Sequence, residues 1–248
     1  FIEGQINENK NLTVNANVDS DRRESTKSNH TATHLLHKAL KMVLGIEVQQ
    51  AGSLVSNNYL RFDLTYYKKI SNNQIKEIEK IINNIIRSNI RLETKIKNFD
   101  EAKKDGAEAL FGEKYGDKVR VVNVPSFSKE LCGGTHVDST GQIGMFKIVS
   151  ESSLASGVRR IEALTGEKAF KFMKNKSDLI EDIKTILMCN EEDIINKIKN
   201  INLLNKNYKK EISDLNTIKA QTYFDQSIDK KLLKIGSVNL YIDRITLD

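Results

Sequence analysis

Two short segments hold every histidine of the chain. Three of the four, His30, His34 and His37, lie in NHTATHLLHKAL, and the fourth, His136, follows Cys132 in CGGTHV. His30 with His34, and Cys132 with His136, are each four positions apart. On a helix such a pair sits one turn apart on one face, about 5–6 Å between Cβ atoms, so two imidazoles can grip one ion. Gly133 and Gly134 make a loop that can fold until thiolate and imidazole converge. Three imidazole nitrogens and one sulfur form a donor set suited to zinc, and a fold that used them together would have to join segments far apart in the chain. A histidine pair on an amphipathic helix is, by itself, more often part of a half-buried surface. It is the occurrence of two such pairs in a histidine-poor chain that favours Zn2+. His37 is read as a packing residue or as one that supports the ligands from behind. HTATH is not a metalloprotease motif, because Thr31 stands where a general-base Glu is required. A site closed by four protein ligands is structural, whereas a hydrolytic one keeps an exchangeable position; spacing leaves both open.

The rest of the chain supplies alternating strand and helix patterns. YLRFDLTY alternates with period two, and Ile46–Tyr67 reads as strand broken near Asn57 and Asn58. A helix start is expected at Asp21 with Glu24, running to Leu44 and stopped by Gly45. Ser71–Ile90 carries a capping box, Ser71 with Gln74, and an apolar stripe Ile75, Ile78, Ile82, Ile85. Arg91–Phe99, Val119–Val124, Ile143–Ser150 and Val158–Leu164 read as further strands, with a short helix after the first. Gly133, Gly134 and Gly141 mark loops. The predicted fold class is α+β, an antiparallel sheet packed with helices. From Glu167 onward the pattern is helical, to Leu187 and again over Glu191–Ile218. There Ile194, Ile198, Ile201, Asn205, Tyr208, Ile212 and Leu215 follow heptad spacing. A coiled-coil arm and a helix pair packed on its own domain fit that seam equally. Phe1–Val18 and Leu232–Leu247 alternate like strands.

Lys and Arg number 39 against 33 for Asp and Glu, a modest positive balance that favours a polyanionic partner. Two cysteines without a secretory signal indicate reduced thiols. No apolar run is long enough to span a membrane, so no membrane partner and a cytoplasmic location are expected. No P-loop or dinucleotide-binding fingerprint is present.

Five motifs, NHTATHLLHKAL, QAGSLV, LRFDLT, LCGGTHV and ASGVRRIEALTG, occur in the order found in the editing domain of alanyl-tRNA synthetases. The chain resembles that family over roughly Asn17–Gly166. The related threonyl-tRNA synthetase editing domain shares the paired-ligand pattern, but CGGTHV and AGSLV are similar to the alanine branch. The resemblance implies a hydrolase that removes serine or glycine wrongly attached to tRNA(Ala), with Zn2+ held by His30, His34, Cys132 and His136. It places Thr33 and Gln50 in the substrate pocket and Arg159 or Arg160 at the tRNA end. Tyr66 stands where the family pattern leads one to expect His. The implied organisation is the end of a β-barrel-like subdomain over 1–18, a zinc-dependent editing domain over 19–166, a helical arm over 167–222 and the start of a C-terminal domain over 223–248. In the family the arm and C-terminal domain contribute to dimerisation and tRNA binding, so a homodimer is one expectation. Phe1 and the leading strands suggest part of a synthetase, without its aminoacylation domain. A freestanding editing protein and a non-catalytic, zinc-stabilised tRNA-binding module are the alternatives.

Overall fold

The computed structural model describes residues 17–109 and 115–241. The strand pattern expected over Phe1–Val18 falls almost wholly outside the described residues, as does the end of the one expected over Leu232–Leu247. The chain divides into two compact units, Phe1–Asn175 and Lys176–Asp248.

In the first unit, α1 (Ser20–Leu44) starts one residue before the expected Asp21. Asp19 caps it, accepting a hydrogen bond from Arg22 N at 3.0 Å. Gly45, at φ 128°, ends it as expected. β1 (Gln50–Val55) and β2 (Leu60–Thr65) form the broken strand pair. In β2, Leu60, Phe62 and Leu64 face inward and are fully buried, as period-two alternation requires. α2 (Asn72–Arg87) begins at the Ser71–Gln74 capping box and buries Ile78, Ile82 and Ile86. β3 (Glu93–Asn98), α3 (Phe99–Lys104), β4 (Lys118–Val124) and β5 (Ser128–Leu131) follow. β6 (Phe146–Ala155) and β7 (Val158–Thr165) complete the unit's strands.

The antiparallel strands divide into two sheets in this unit, ordered β1-β2-β7-β6 and β3-β4-β5. α1 packs on α2 and on β1, β2 and β7, and α2 packs on β6. Leu35, Leu36, Leu40, Phe62, Phe146 and Ile161 fill the core between them. A smaller apolar cluster of Ala102, Ala107, Val119, Val121 and Leu131 lies under α3. Strand β6 starts later than the expected Ile143. Ser139 and Gln142 form a capping box on a 3-10 turn over Thr140–Ile143, and Gly144 turns the chain at φ 76°.

The middle of α1 is buried on more than its apolar side, and its polar groups are paired there. Asn29 donates to Ser56 O at 2.7 Å, accepts from Thr165 Oγ1 at 2.7 Å, and its carbonyl accepts from Thr33 Oγ1 at 2.8 Å. A buried polar group left without such partners would cost about 1–3 kcal/mol. This network therefore sets the rotation of α1 about its axis, and with it the direction of His30 and His34.

α4 (Gly166–Leu187) leads out of the first unit, and the division between units falls within it. The second unit contains α5 (Ile194–Lys231) and the hairpin β8 (Leu232–Ile235) and β9 (Val238–Tyr241). α5 runs past the expected end at Ile218, because no glycine or proline interrupts the next turns. Ile198, Ile201, Tyr208, Ile212 and Leu215 of the heptad seam are all exposed.

Candidate metal centre

α1 supplies His30 and His34 one turn apart. The loop leaving β5 supplies Cys132 and His136. The ligand atoms of these four residues all lie within 4.8 Å of one another. Cys132 Sγ is 3.4 Å from His30 Nε2 and 3.3 Å from His136 Nε2. Tetrahedral zinc, with bonds of about 2.0–2.1 Å to nitrogen and about 2.3 Å to sulfur, implies sulfur-to-nitrogen edges of about 3.5 Å. The donor set fits that ion, and both sulfur-to-nitrogen distances match those edges.

The other nitrogen of each imidazole is already engaged. His30 Nδ1 donates to Thr135 O at 3.2 Å, and His34 Nδ1 faces Glu130 Oε2 at 3.2 Å. His136 Nδ1 hydrogen-bonds the Thr31 hydroxyl at 3.1 Å, and that oxygen also accepts from Val137 N at 3.2 Å. With every Nδ1 held from behind, the three Nε2 atoms are the ones left for an ion, the arrangement that fixes tautomer and ring direction in metal sites. Burial drives the pKa of His34 down to about 4 and that of His136 to about 3. Burial also lowers that of His30, against the Thr135 hydrogen bond that raises it. The rings are therefore neutral at pH 7, the form that binds metal.

The loop is held independently of any ion. Arg120 Nη1 donates to Cys132 O at 2.9 Å and to Gly134 O at 2.6 Å, while Cys132 N donates to Arg120 O at 2.9 Å. Gly134 lies flat against the His30 ring: a Cβ there would be 2.1 Å from His30 Cε1. The two cysteines form no disulfide. Among the described residues this is the group of His, Cys, Asp and Glu placed to hold a metal.

The other residues singled out in the sequence take varied places. Thr33 lies between the two helix histidines, is buried, and gives its proton to Asn29 O. Gln50 opens β1 beside a bulge and lines a cavity of about 340 Å³ with His37, Lys41 and Glu108. Arg160 sits opposite Asp63 in the β2–β7 ladder and bonds both of its carboxylate oxygens, at 2.7 and 2.9 Å. Arg159 bonds Glu151 at 2.6 Å. Sequence patterns did not single out Glu130 or Arg120. Thr31 drew notice only as a missing glutamate. Glu130 carried one signal that could have found it: it lies two residues before Cys132, hence on the same face of an extended strand.

Residues 119–162 match the family described as the threonyl and alanyl tRNA synthetase second additional domain. That match takes in Cys132 and His136. The chain is 46% identical over 241 residues to the alanine-tRNA ligase of Fervidobacterium nodosum, covering 97% of this chain and 27% of that protein. Over nearly all of its length the chain is similar to alanine-tRNA ligases. The Clostridioides difficile ligase is 46% identical over 227 residues, 92% of this chain and 26% of its own length. The Thermotoga maritima ligase is 52% identical over 196 residues, 79% of this chain and 23% of its own. The chain thus spans about a quarter of the length of the curated alanine-tRNA ligases it matches. Among the described residues no helix is long and apolar enough to cross a membrane.

Proposed function

We propose that this stretch of an alanine-tRNA ligase hydrolyses the aminoacyl ester of tRNA(Ala) wrongly charged with serine or glycine, using Zn2+ held by His30, His34, Cys132 and His136. The observation that carries the reading is the convergence of those four side chains from two distant segments, each imidazole anchored at Nδ1. Similarity to alanine-tRNA ligases supports tRNA as the partner. When bound, zinc supplies a Lewis acid able to polarise an ester carbonyl or lower the pKa of water.

The chain's own groups orient the ester rather than act as a general base. Glu130, behind the cluster, is committed to His34 and His37, as Asp63 is to Arg160 and Glu151 to Arg159. An aminoacyl ester is more labile than an amide, so placement and carbonyl polarisation supply much of what is needed. Serine and glycine bracket alanine in size, and a size cut-off therefore cannot spare alanine. A site that hydrogen-bonds the serine hydroxyl discriminates far better. Thr33 and Gln50 are the residues we assign to it. The Thr33 oxygen keeps acceptor capacity after donating to Asn29, and the Gln50 amide both donates and accepts. Arg159 and Arg160, on β7, are assigned to the tRNA end, where guanidinium N–H groups beyond those bonding Glu151 and Asp63 remain for phosphate. The exposed seam of α5 supports pairing of two copies through the helical region. Such an activity belongs with cytoplasmic protein synthesis.

A second reading rests on the count of ligands. Four protein donors fill a tetrahedral shell, as structural zinc sites do, and would suit a non-catalytic tRNA-binding module. Single-turnover assays separate the two. The chain, mixed in excess with tRNA(Ala) charged with serine, glycine or alanine, is expected to release serine and glycine and to act on the alanine ester about 100-fold more slowly. Release no faster than spontaneous hydrolysis for all three would leave only the binding module.

A further inference from the structure

Behind the four candidate ligands lies a second layer of two buried groups, Glu130 and His37. Glu130 is on β5. Its neighbour Leu131 turns to the apolar cluster under α3, and Glu130 itself turns toward α1. There its two oxygens part: Oε2 lies 3.2 Å from His34 Nδ1, and Oε1 accepts from His37 Nδ1 at 3.3 Å. All three side chains are less than a tenth exposed. One carboxylate is thus gripped by two imidazoles one turn apart on the same helix.

His37 is an expensive residue to bury for packing alone. Its ring lies against Phe62, centroids 5.5 Å apart, while its Nε2 is buried with no hydrogen-bond partner among the described residues. A phenylalanine or leucine would fill the space without an orphaned nitrogen. What an apolar side chain cannot supply is the Nδ1–H to Glu130. Without it the carboxylate would be free to turn about its terminal bond, and the acceptor behind His34 would be lost from its place.

We infer that His37 is a positioning residue of the metal centre: it fixes the Glu130 carboxylate, which in turn holds His34 as the Nδ1–H tautomer with Nε2 toward Cys132. The inference rests on the metal reading of the four-residue cluster. It assigns His37 no contact with substrate.

The test uses the full chain and two variants, His37→Phe and His37→Asn. The Asn side chain carries an N–H donor where the imidazole has Nδ1–H, whereas Phe keeps only the ring. Co2+ is titrated into each while its thiolate and d–d absorption is followed, and the His34 tautomer is read by ¹⁵N NMR in the metal-free protein. The expected result is a loss of Co2+ affinity of about 10–100-fold in His37→Phe, with mixed His34 tautomers. His37→Asn should retain both the parent affinity and the Nδ1–H form. Parent-like binding and tautomer in a folded His37→Phe would overturn the inference, as would equal losses in both variants. If His37→Phe does not fold, Glu130→Gln takes its place. Its side chain offers one acceptor atom instead of two, so one imidazole loses its anchor, and a parent-like His34 tautomer and Co2+ affinity would again overturn the inference. A parent chain that binds no Co2+ removes the metal reading itself, while the tautomer measurement still decides whether His37 and Glu130 set His34.

Discussion

Cys132→Ala is expected to release zinc and to slow single-turnover deacylation of serine-charged tRNA(Ala) by at least about 100-fold, since a metal's share of transition-state stabilisation is several kcal/mol. Cys132 is the sulfur donor of the cluster, within 3.4 Å of two imidazole nitrogens. Its removal takes the thiolate from the site and leaves three neutral imidazoles. The surrounding fold should survive, because the loop's backbone is tied to Arg120 by three hydrogen bonds that do not involve Sγ. Circular dichroism should therefore match the parent while metal content falls. Unchanged rate together with unchanged zinc would remove the metal from the mechanism.

The second large effect is expected from one added methyl group. At Gly134, a Cβ would fall 2.1 Å from His30 Cε1 and 2.6 Å from His30 Nδ1. Neither side can give way freely. The Gly134 carbonyl is held by Arg120 at 2.6 Å, and the ring is held by Thr135 O at 3.2 Å. Gly134→Ala should therefore displace His30 from the cluster and weaken zinc binding by about 10–100-fold or more, the range seen when a ligand's supporting partner is lost. Gly133→Ala is the internal control, since a Cβ at Gly133 meets nothing within 4 Å. Competition against a chelator indicator measures both. Parent-like affinity in Gly134→Ala, or equal damage from both substitutions, would contradict this geometry.

The features legible in the sequence were those carried by local spacing. The four-residue separation of His30 and His34 survives folding because a helix conserves it. The Ser71–Gln74 capping box and the isoleucine stripe of α2 are likewise local. β2 could be recognised because Leu60, Phe62 and Leu64 alternate. β5 could not: Ser128-Lys129-Glu130-Leu131 has no β-branched residue, and its strand form comes from pairing with β4. Glu130 was missed with it, since a lone glutamate in sequence is normally solvated and only the tertiary approach of α1 shows its two imidazole partners. Thr31 illustrates the same limit. Its position in HTATH identified what it is not, while its hydrogen bond to His136 spans more than a hundred residues. Arg159 and Arg160 looked alike as a pair, yet strand alternation sends them to different carboxylates, Glu151 and Asp63.

Zinc K-edge X-ray absorption on the purified, zinc-loaded chain tests the central claim most directly. One ion per chain is predicted, with a first shell of one sulfur at about 2.3 Å and three imidazole nitrogens at about 2.0–2.1 Å. A shell without sulfur, a shell with more than one sulfur, or a chain that retains no zinc would contradict a site built from His30, His34, Cys132 and His136.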